Sequence, residues 1–499
     1  MLPTFMEVLD TSIASVALPH IAGSFSATTD QATWVLTSYL VANAVILPAS
    51  NWFSLRFGRR NFLIFCILVF TAASFLCGAA LSLGMILFAR AVQGAGGGAL
   101  QPLSQAILLE TFPIEKRGSA MAAFGLGVVV APVLGPTLGG WLTDEYSWRW
   151  AFYINIPIGI FAVWMISMYV KDPPYIARAR PGPFDSIGLG LLAVWLGALQ
   201  IILDKGQQDD WLNAVWVRWA IFILAASLIA FLIRQFRATH PIVDLTIFRN
   251  RNFAVGGLLI ALFGAVIYGI IATLPLFYQT VLGYTAWNAG LAVSPRGIGA
   301  LLMMPIVGIL SARLDNRWLI ISGFALFAFS AMWMGQLTLA ISQWSLITPI
   351  ILSGAAAGMV FVPLSTLTVG TLKNEQIGNA SGLYNLLRNV GASIGIAVVN
   401  TLVARHQQIH RAELARNLYN RPLVRQSIDA LQATIAARTG TQQASSRAYA
   451  LLNRSLDQQA TIYAYVDVLR YMALMCILCL PLVLLFVKVK PKNGAIAAH

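Results

Sequence analysis

Apolar stretches of about twenty residues recur from one end of the chain to the other, each long enough to cross a hydrocarbon layer about 30 Å thick as a helix. Their pattern predicts spans at 2–22, 32–53, 62–80, 85–110, 119–141, 150–170, 186–203 and 213–233, and then at 253–278, 289–310, 318–338, 346–371, 379–404 and 466–487. The expected fold class is an all-α integral membrane protein of about fourteen spans. A single signal peptide cannot account for so many segments. Residues 405–465 break the pattern: rich in Gln, Ala and Arg, they read as short amphipathic helices broken at Gly440, forming a periplasmic helical hairpin.

Composition agrees, since 58% of the 499 residues are hydrophobic and 10% charged, too little polar surface for a soluble globule of this size. The formal charge of +14 does not gather into one basic face, so nucleic acid is not the expected partner. An even number of spans puts both termini on one side, and the segments sharing that side carry Arg56, Arg59, Arg60, Lys116, Arg117, Lys171, Arg178, Arg180, Arg234, Arg237, Arg313, Arg317, Lys488, Lys490 and Lys492. The positive-inside rule makes both termini cytoplasmic. The long arginine-bearing loop at 405–465 then lies outside, where such loops escape that rule.

The chain also repeats itself at an offset of about 260 residues. Pro102-Leu103-Ser104 recurs as Pro363-Leu364-Ser365, Glu115, Gly118 and Ala120 recur as Glu375, Gly378 and Ala380, and Gly135 recurs as Gly395. Ser54, Arg56 and Arg60 recur as Ser311, Arg313 and Arg317. The expected organisation is an N-terminal six-helix half (1–170), two extra spans with linkers (171–252), a C-terminal six-helix half (253–487) that includes the loop, and a cytoplasmic tail (488–499). Parallel repeats suit a transporter that rocks one half against the other around a central site.

Polar side chains in otherwise apolar spans carry the chemistry. Glu7 and Asp10 lie in the first span, where an ionised carboxylate costs on the order of 3 kcal/mol unless paired or hydrated. Asp10 reads either as a group that loads and releases a proton or as a structural pair. Glu7, one turn earlier, reads either as a participant or as a solvated group near the cytoplasmic end. Arg90 is always charged, and either meets a carboxylate in one conformation or forms a static ion pair. Tyr39, Asn43, Gln93, Asn155, Asn385 and Arg388 are read as the lining of a central cavity. Arg296 and Arg388 offset an anionic substrate or pair structurally, while Asp467 and Arg470 at the start of the last span snorkel to the interface.

Six segments in order, LDTSIASVALP (9–19), WVLTSYLVANAVILP (34–48), RAVQGAGGGALQPLS (90–104), APVLGPTLGGW (131–141), WRWAFYINIPIG (148–159) and PIVDLTIFRNRNF (241–253), resemble the major facilitator superfamily. The resemblance is to its fourteen-span drug:proton antiporter branch and to the EmrB-type multidrug exporters. It implies the major facilitator fold of two six-helix halves plus two extra transmembrane helices, and proton-driven export of small hydrophobic or amphipathic substrates across a bacterial inner membrane. It further implies a periplasmic membrane-fusion adaptor of the EmrA-like kind, an outer-membrane channel of the TolC-like kind, and no cofactor, the proton gradient being the driving force. Asp10 and Arg90 match motif residues of the family. Pro132, Gly135, Pro136, Gly139 and Gly140 resemble its antiporter motif, from which a tight, bent contact between the two halves is expected.

Arg56, Gly58, Arg59 and Arg60 resemble the family's cytoplasmic loop motif, with Asn51 in place of its leading glycine and Leu55 in place of its aspartate, so the acidic half of that gating interaction is absent from the motif. The family usually begins further upstream, and the start at Met1 is read as truncated or misassigned. Export of one dedicated metabolite, fatty acid or siderophore fits the same motifs. A membrane scaffold or lipid-processing enzyme is the alternative of another class. No phosphate loop or nucleophile elbow appears, the histidines are scattered, and no metal site is expected. The four cysteines, Cys66, Cys77, Cys476 and Cys479, lie inside apolar runs and read as packing residues.

Overall fold

The computed structural model describes residues 1–177, 182–336, 343–419, 422–439 and 444–487; Arg178, Arg180, Gly440, Lys488, Lys490 and Lys492 lie outside the described residues. Among the described residues there is helix and no strand. The N-terminal spans are α1 (Leu2–Ser24), α2 (Thr29–Phe57), α3 (Arg59–Gly78), α4 (Leu83–Thr111), α5 (Arg117–Glu145) and α6 (Trp150–Tyr169). Two more follow, α7 (Ser186–Lys205) and α8 (Val215–Arg237). The remainder are α9 (Arg251–Thr280), α10 (Trp287–Arg313), α11 (Asn316–Met334), α12 (Gln343–Thr368), α13 (Asn374–Tyr419), α14 (Pro422–Thr439) and α15 (Ala444–Val483).

Thirteen of the described helices are long and apolar enough to cross a membrane. Helix α1 falls outside that set and carries Glu7 and Asp10, yet it has 23 residues and is enclosed by α2, α5 and α6. Its polar groups are sheltered by neighbours instead of facing lipid, which is the condition for carboxylates at membrane depth. Boundaries follow local chemistry. Thr28 and Gln31 form a reciprocal capping box at the start of α2, and the side chains of Asp185, Asn250 and Asp315 cap α7, α9 and α11. Gly58 joins α2 to α3 at φ +85°, a left-handed conformation that favours glycine.

Packing is duplicated. In the N-terminal half α1 lies on α5, α2 on α4 and α3 on α6; in the C-terminal half α9 lies on α13, α10 on α12 and α11 on α15. The halves meet through α5 with α10 and α2 with α13, and the extra pair α7–α8 is attached through α7 to α2 and α13. Repeated residues make matching contacts across this boundary. A Cβ on Gly118 would lie 2.9 Å from Ser311 Oγ, and one on Gly378 would lie 2.2 Å from Asn51 Oδ1, so side chains of each half press on glycine backbone of the other at the basic end of the bundle.

The segment 405–465 differs from its expected form. Helix α13 runs unbroken to Tyr419 and α15 begins at Ala444, so the hairpin is an extension of two spans beyond the apolar layer, with α14 between them. Polar helices in water lose the hydropathy signal that marks a span, which is why the sequence pattern ends at 404 and resumes at 466.

Candidate functional site

Asp10 is fully buried and bound by three side chains. Arg90 Nη1 donates to Asp10 Oδ2 (2.6 Å), while Gln93 Nε2 (2.9 Å) and Asn155 Nδ2 (2.6 Å) donate to Asp10 Oδ1. Gln93 and Asn155 also reach Ser74 Oγ, and Arg90 Nε donates to the Val35 carbonyl. One network therefore ties α1, α2, α3, α4 and α6 together inside the N-terminal half. Asp10 and Arg90 are paired in this structure, both Asp10 oxygens being satisfied, while Arg90 Nη2 is buried without a hydrogen-bond partner among the described residues. Gln93 and Asn155, expected on a cavity wall, belong to this network and are fully buried. Polarity in an apolar span marks a residue as facing inward without saying whether water or another side chain meets it.

A cavity of about 680 Å³ opens between the two halves, lined by α1, α2, α4, α5, α7, α9, α10 and α13. Its floor holds Glu7, Asn43, Tyr39, Gln101 and Asn389, and its walls run past Ser15, Gln200 and Gln279 to His20 and Asp144, which are half exposed at the end of the bundle opposite the basic one. Glu7, for which one reading was a solvated group, is 4% exposed; Asn43 Nδ2 donates to its Oε1 (2.8 Å), and its Oε2 has no hydrogen-bond partner among the described residues. Of Glu7 and Asp10, it is Glu7 that lines the cavity. Tyr39 separates the two, since its edge lines the cavity while Arg90 sits over its ring at 4.2 Å.

Behind the floor, side chains cross between halves. Asn385 Nδ2 donates to Gln105 Oε1 (2.7 Å) and Arg388 Nη2 donates to Gln101 Oε1. Arg388 is 1% exposed, and two of its guanidinium nitrogens lack hydrogen-bond partners among the described residues. Asn385 and Arg388 back the floor instead of lining it. Arg296 is fully buried in α10, 5.7 Å from the Phe327 ring centroid, and none of its three guanidinium nitrogens has a hydrogen-bond partner among the described residues.

The glycine–proline run of α5 faces two ways. A Cβ on Gly135 would lie 2.1 Å from Ser12 Oγ and one on Gly139 would lie 3.2 Å from the Ile13 Cα, so these two glycines admit α1 of the same half, where a contact between halves was expected. Pro136 cannot donate to the Pro132 carbonyl, and Ser12 Oγ fills that vacancy at 3.1 Å. The contact with the other half passes through Pro136 and Thr137, which meet Gly290 of α10, and through Gly140 beside Trp287.

At the basic end the acid missing from the loop motif comes from elsewhere. Arg59 Nη1 meets Glu110 Oε2 of α4 at 2.5 Å with both side chains nearly inaccessible, and Asp172 Oδ1 accepts from the Arg60 backbone N–H (2.8 Å). Arg56 is exposed. Arg117 reaches across to the Gly370 carbonyl and to Asn374 Oδ1 (2.9 Å), and Phe124 stacks on Phe361 deeper in. The basic end is closed and the opposite end is open. His406 and His410, read as scattered, converge on Asp467, which is held by them rather than left to snorkel. Their spacing of four on one helix was the available signal.

Two packed halves, a cavity between them and a closed end opposite an open one have the architecture of a membrane transporter. The Major Facilitator Superfamily model matches residues 1–396, and the chain belongs to that family. It is similar to the multidrug export protein EmrB of Escherichia coli K12, at 36% identity over 84% of this chain and 81% of that protein. It is also similar to the fatty acid resistance protein FarB of Neisseria gonorrhoeae, at 39% identity over 84% and 82%. The solved structure of the human organic anion transporter MFSD10 shares the fold, with a TM-score of 0.58, 14% identity and coverage of 95% of this chain and 97% of that one.

Proposed function

We propose that the chain exports hydrophobic or amphipathic compounds in exchange for protons, by rocking the halves 1–170 and 253–487 around the central cavity. The observation that carries this reading is Glu7: a cavity-floor carboxyl that accepts from Asn43, with its second oxygen unpartnered among the described residues, on the floor where Arg388 of the other half reaches Gln101. A proton on Glu7 removes the charge that interacts with Arg388 and so changes how strongly the two halves attract. Access to the cavity and protonation are thereby linked. The Asp10–Arg90 network holds the N-terminal half together as one body and stands beside the exchanging group. Family resemblance supports a part for Asp10 and Arg90 in the proton path.

In this reading the basic end faces the cytoplasm of a bacterium, both termini are cytoplasmic, and the membrane is the inner one. The proton gradient drives the cycle without a cofactor. The extension formed by α13, α14 and α15 projects on the opposite side, where it would dock a periplasmic adaptor of the EmrA-like kind leading to a TolC-like outer-membrane channel. The relatives support the substrate class, and the apolar walls with a few polar groups suit ligands that are greasy with one polar end. A dedicated exporter of one anionic amphiphile is the second reading, favoured by the unpartnered guanidinium nitrogens of Arg388 just behind the floor.

Efflux from cells against a chemically diverse panel, with the membrane potential and pH gradient collapsed separately, tests the function. Resistance to several unrelated compounds that vanishes with the pH gradient is expected. Resistance that persists after both gradients are collapsed would refute proton coupling.

A further inference from the structure

Beyond the cavity, one side-chain cluster is arranged for a task that transport leaves unused. His406 and His410 are one helical turn apart on α13, and both turn toward α15. His406 Nδ1 lies 3.1 Å and His410 Nε2 2.7 Å from the same oxygen, Asp467 Oδ2. We propose that His406, His410 and Asp467 form a binding site for a late first-row divalent cation, zinc above all, that staples α13 to α15 where the two helices leave the apolar layer.

The geometry fits the ion. The three ligand atoms lie within 4.8 Å of one another. Bonds of about 2.1 Å in a tetrahedral site put ligand atoms roughly 3.4 Å apart, so the two histidine-to-carboxylate distances need to lengthen by less than about 1 Å. Two imidazoles and one carboxylate are the donors of zinc, nickel and copper sites, whereas magnesium and calcium take oxygen alone.

The surroundings fit as well. The other ring nitrogen of His410, Nδ1, lies 3.9 Å from Glu413 Oε2, so a side-chain movement of about 1 Å would give the carboxylate–histidine hydrogen bond that orients a metal-bound imidazole. Arg470 Nη1 lies 3.9 Å from Asp467 Oδ1 and leaves Oδ2 to the histidines. Tyr471 and Tyr463 flank the two rings at 5.4 and 5.6 Å. With side-chain exposures of 20 to 24%, the three ligands are sheltered yet reachable from water.

The staple joins residues 57 and 61 positions apart in sequence, at the root of the α13–α15 extension. A bound ion would fix how the two long helices leave the bundle, and so set the direction in which the extension points.

The test uses the full chain without a polyhistidine tag, in lipid nanodiscs, stripped with chelator. Zinc is titrated against a chromogenic indicator, and Co²⁺ is added as a spectroscopic probe. One tightly bound zinc per chain, a rise in Tm with zinc, and a visible Co²⁺ spectrum of tetrahedral type are expected. His406→Ala with His410→Ala lowers zinc affinity at least a hundredfold and removes the Co²⁺ spectrum, Glu413→Gln lowers affinity about tenfold, and His20→Ala with His240→Ala leaves both unchanged. Should the double alanine variant fail to fold, Asp467→Asn supplies the same readings with both imidazoles kept. No zinc bound at micromolar concentrations, or binding unaltered by replacement of His406 and His410 or of Asp467, would overturn the proposal.

Discussion

The ring of Tyr39 lies between the cavity and the Arg90 guanidinium, which sits 4.2 Å from its centroid. On its two sides lie two carboxyl groups one helical turn apart, Asp10 fully buried against Arg90 and Glu7 on the cavity floor. Tyr39→Phe keeps the partition and is expected to stay within about 1 kcal/mol of native stability, because the tyrosine hydroxyl has no protein partner. Tyr39→Ala removes a buried aromatic, at a cost of about 3–5 kcal/mol. Thermal unfolding in detergent separates the two.

Asp10 and Glu7 are expected to fail differently. Asp10→Asn leaves Arg90 charged and unpaired among buried groups, a loss of about 3–5 kcal/mol that lowers Tm and yield together with transport. Glu7→Gln preserves the bond from Asn43 and removes only the longer-range attraction to Arg388, so it loses less stability than Asp10→Asn, binds substrate and loses proton-linked efflux. Tm, substrate binding and efflux measured on both variants check the contrast, and equal Tm losses would contradict it.

Arg59 and Glu110 form a buried pair at the closed end. Arg59→Leu and Glu110→Leu should each destabilise by about 3–5 kcal/mol, and the double variant by less than either single one, because the singles strand a charge. A double-mutant cycle on Tm reads this directly.

Gly118 and Ser311 touch across the halves at the closed basic end, and the proposed rocking of the halves would part them. Gly118→Cys with Ser311→Cys, in a chain whose four native cysteines are all buried, should cross-link under mild oxidation. The cross-link is expected to stop transport and release it on reduction. Unimpaired efflux by the fully cross-linked protein would mean that the halves do not part there.

The spans were legible because a long apolar run has few other solutions than a membrane helix, and the duplication was legible because Gly118 and Gly378 serve matching contacts in the two halves. What escaped depends on distance in sequence. Glu110 lies 51 positions from Arg59, and nothing local to the loop motif announces it. Gln93 and Asn155 were recognised as inward-facing, but only the packing of α3 and α6 around α1 decides that they serve Asp10 and not a ligand. Gly135 and Gly139 were rightly read as places of close approach, while the helix that approaches, α1 and not the other half, is a tertiary fact. The long polar continuation of α13 had no hydrophobic period to betray it.

Purified protein in liposomes carrying a pH-sensitive dye tests the account most directly, with substrate added on one side and proton movement followed on the other. The account predicts substrate-dependent proton flux in the native chain and none above background in Glu7→Gln, although that variant binds the same substrate with unchanged affinity. Equal flux in the two proteins would contradict it.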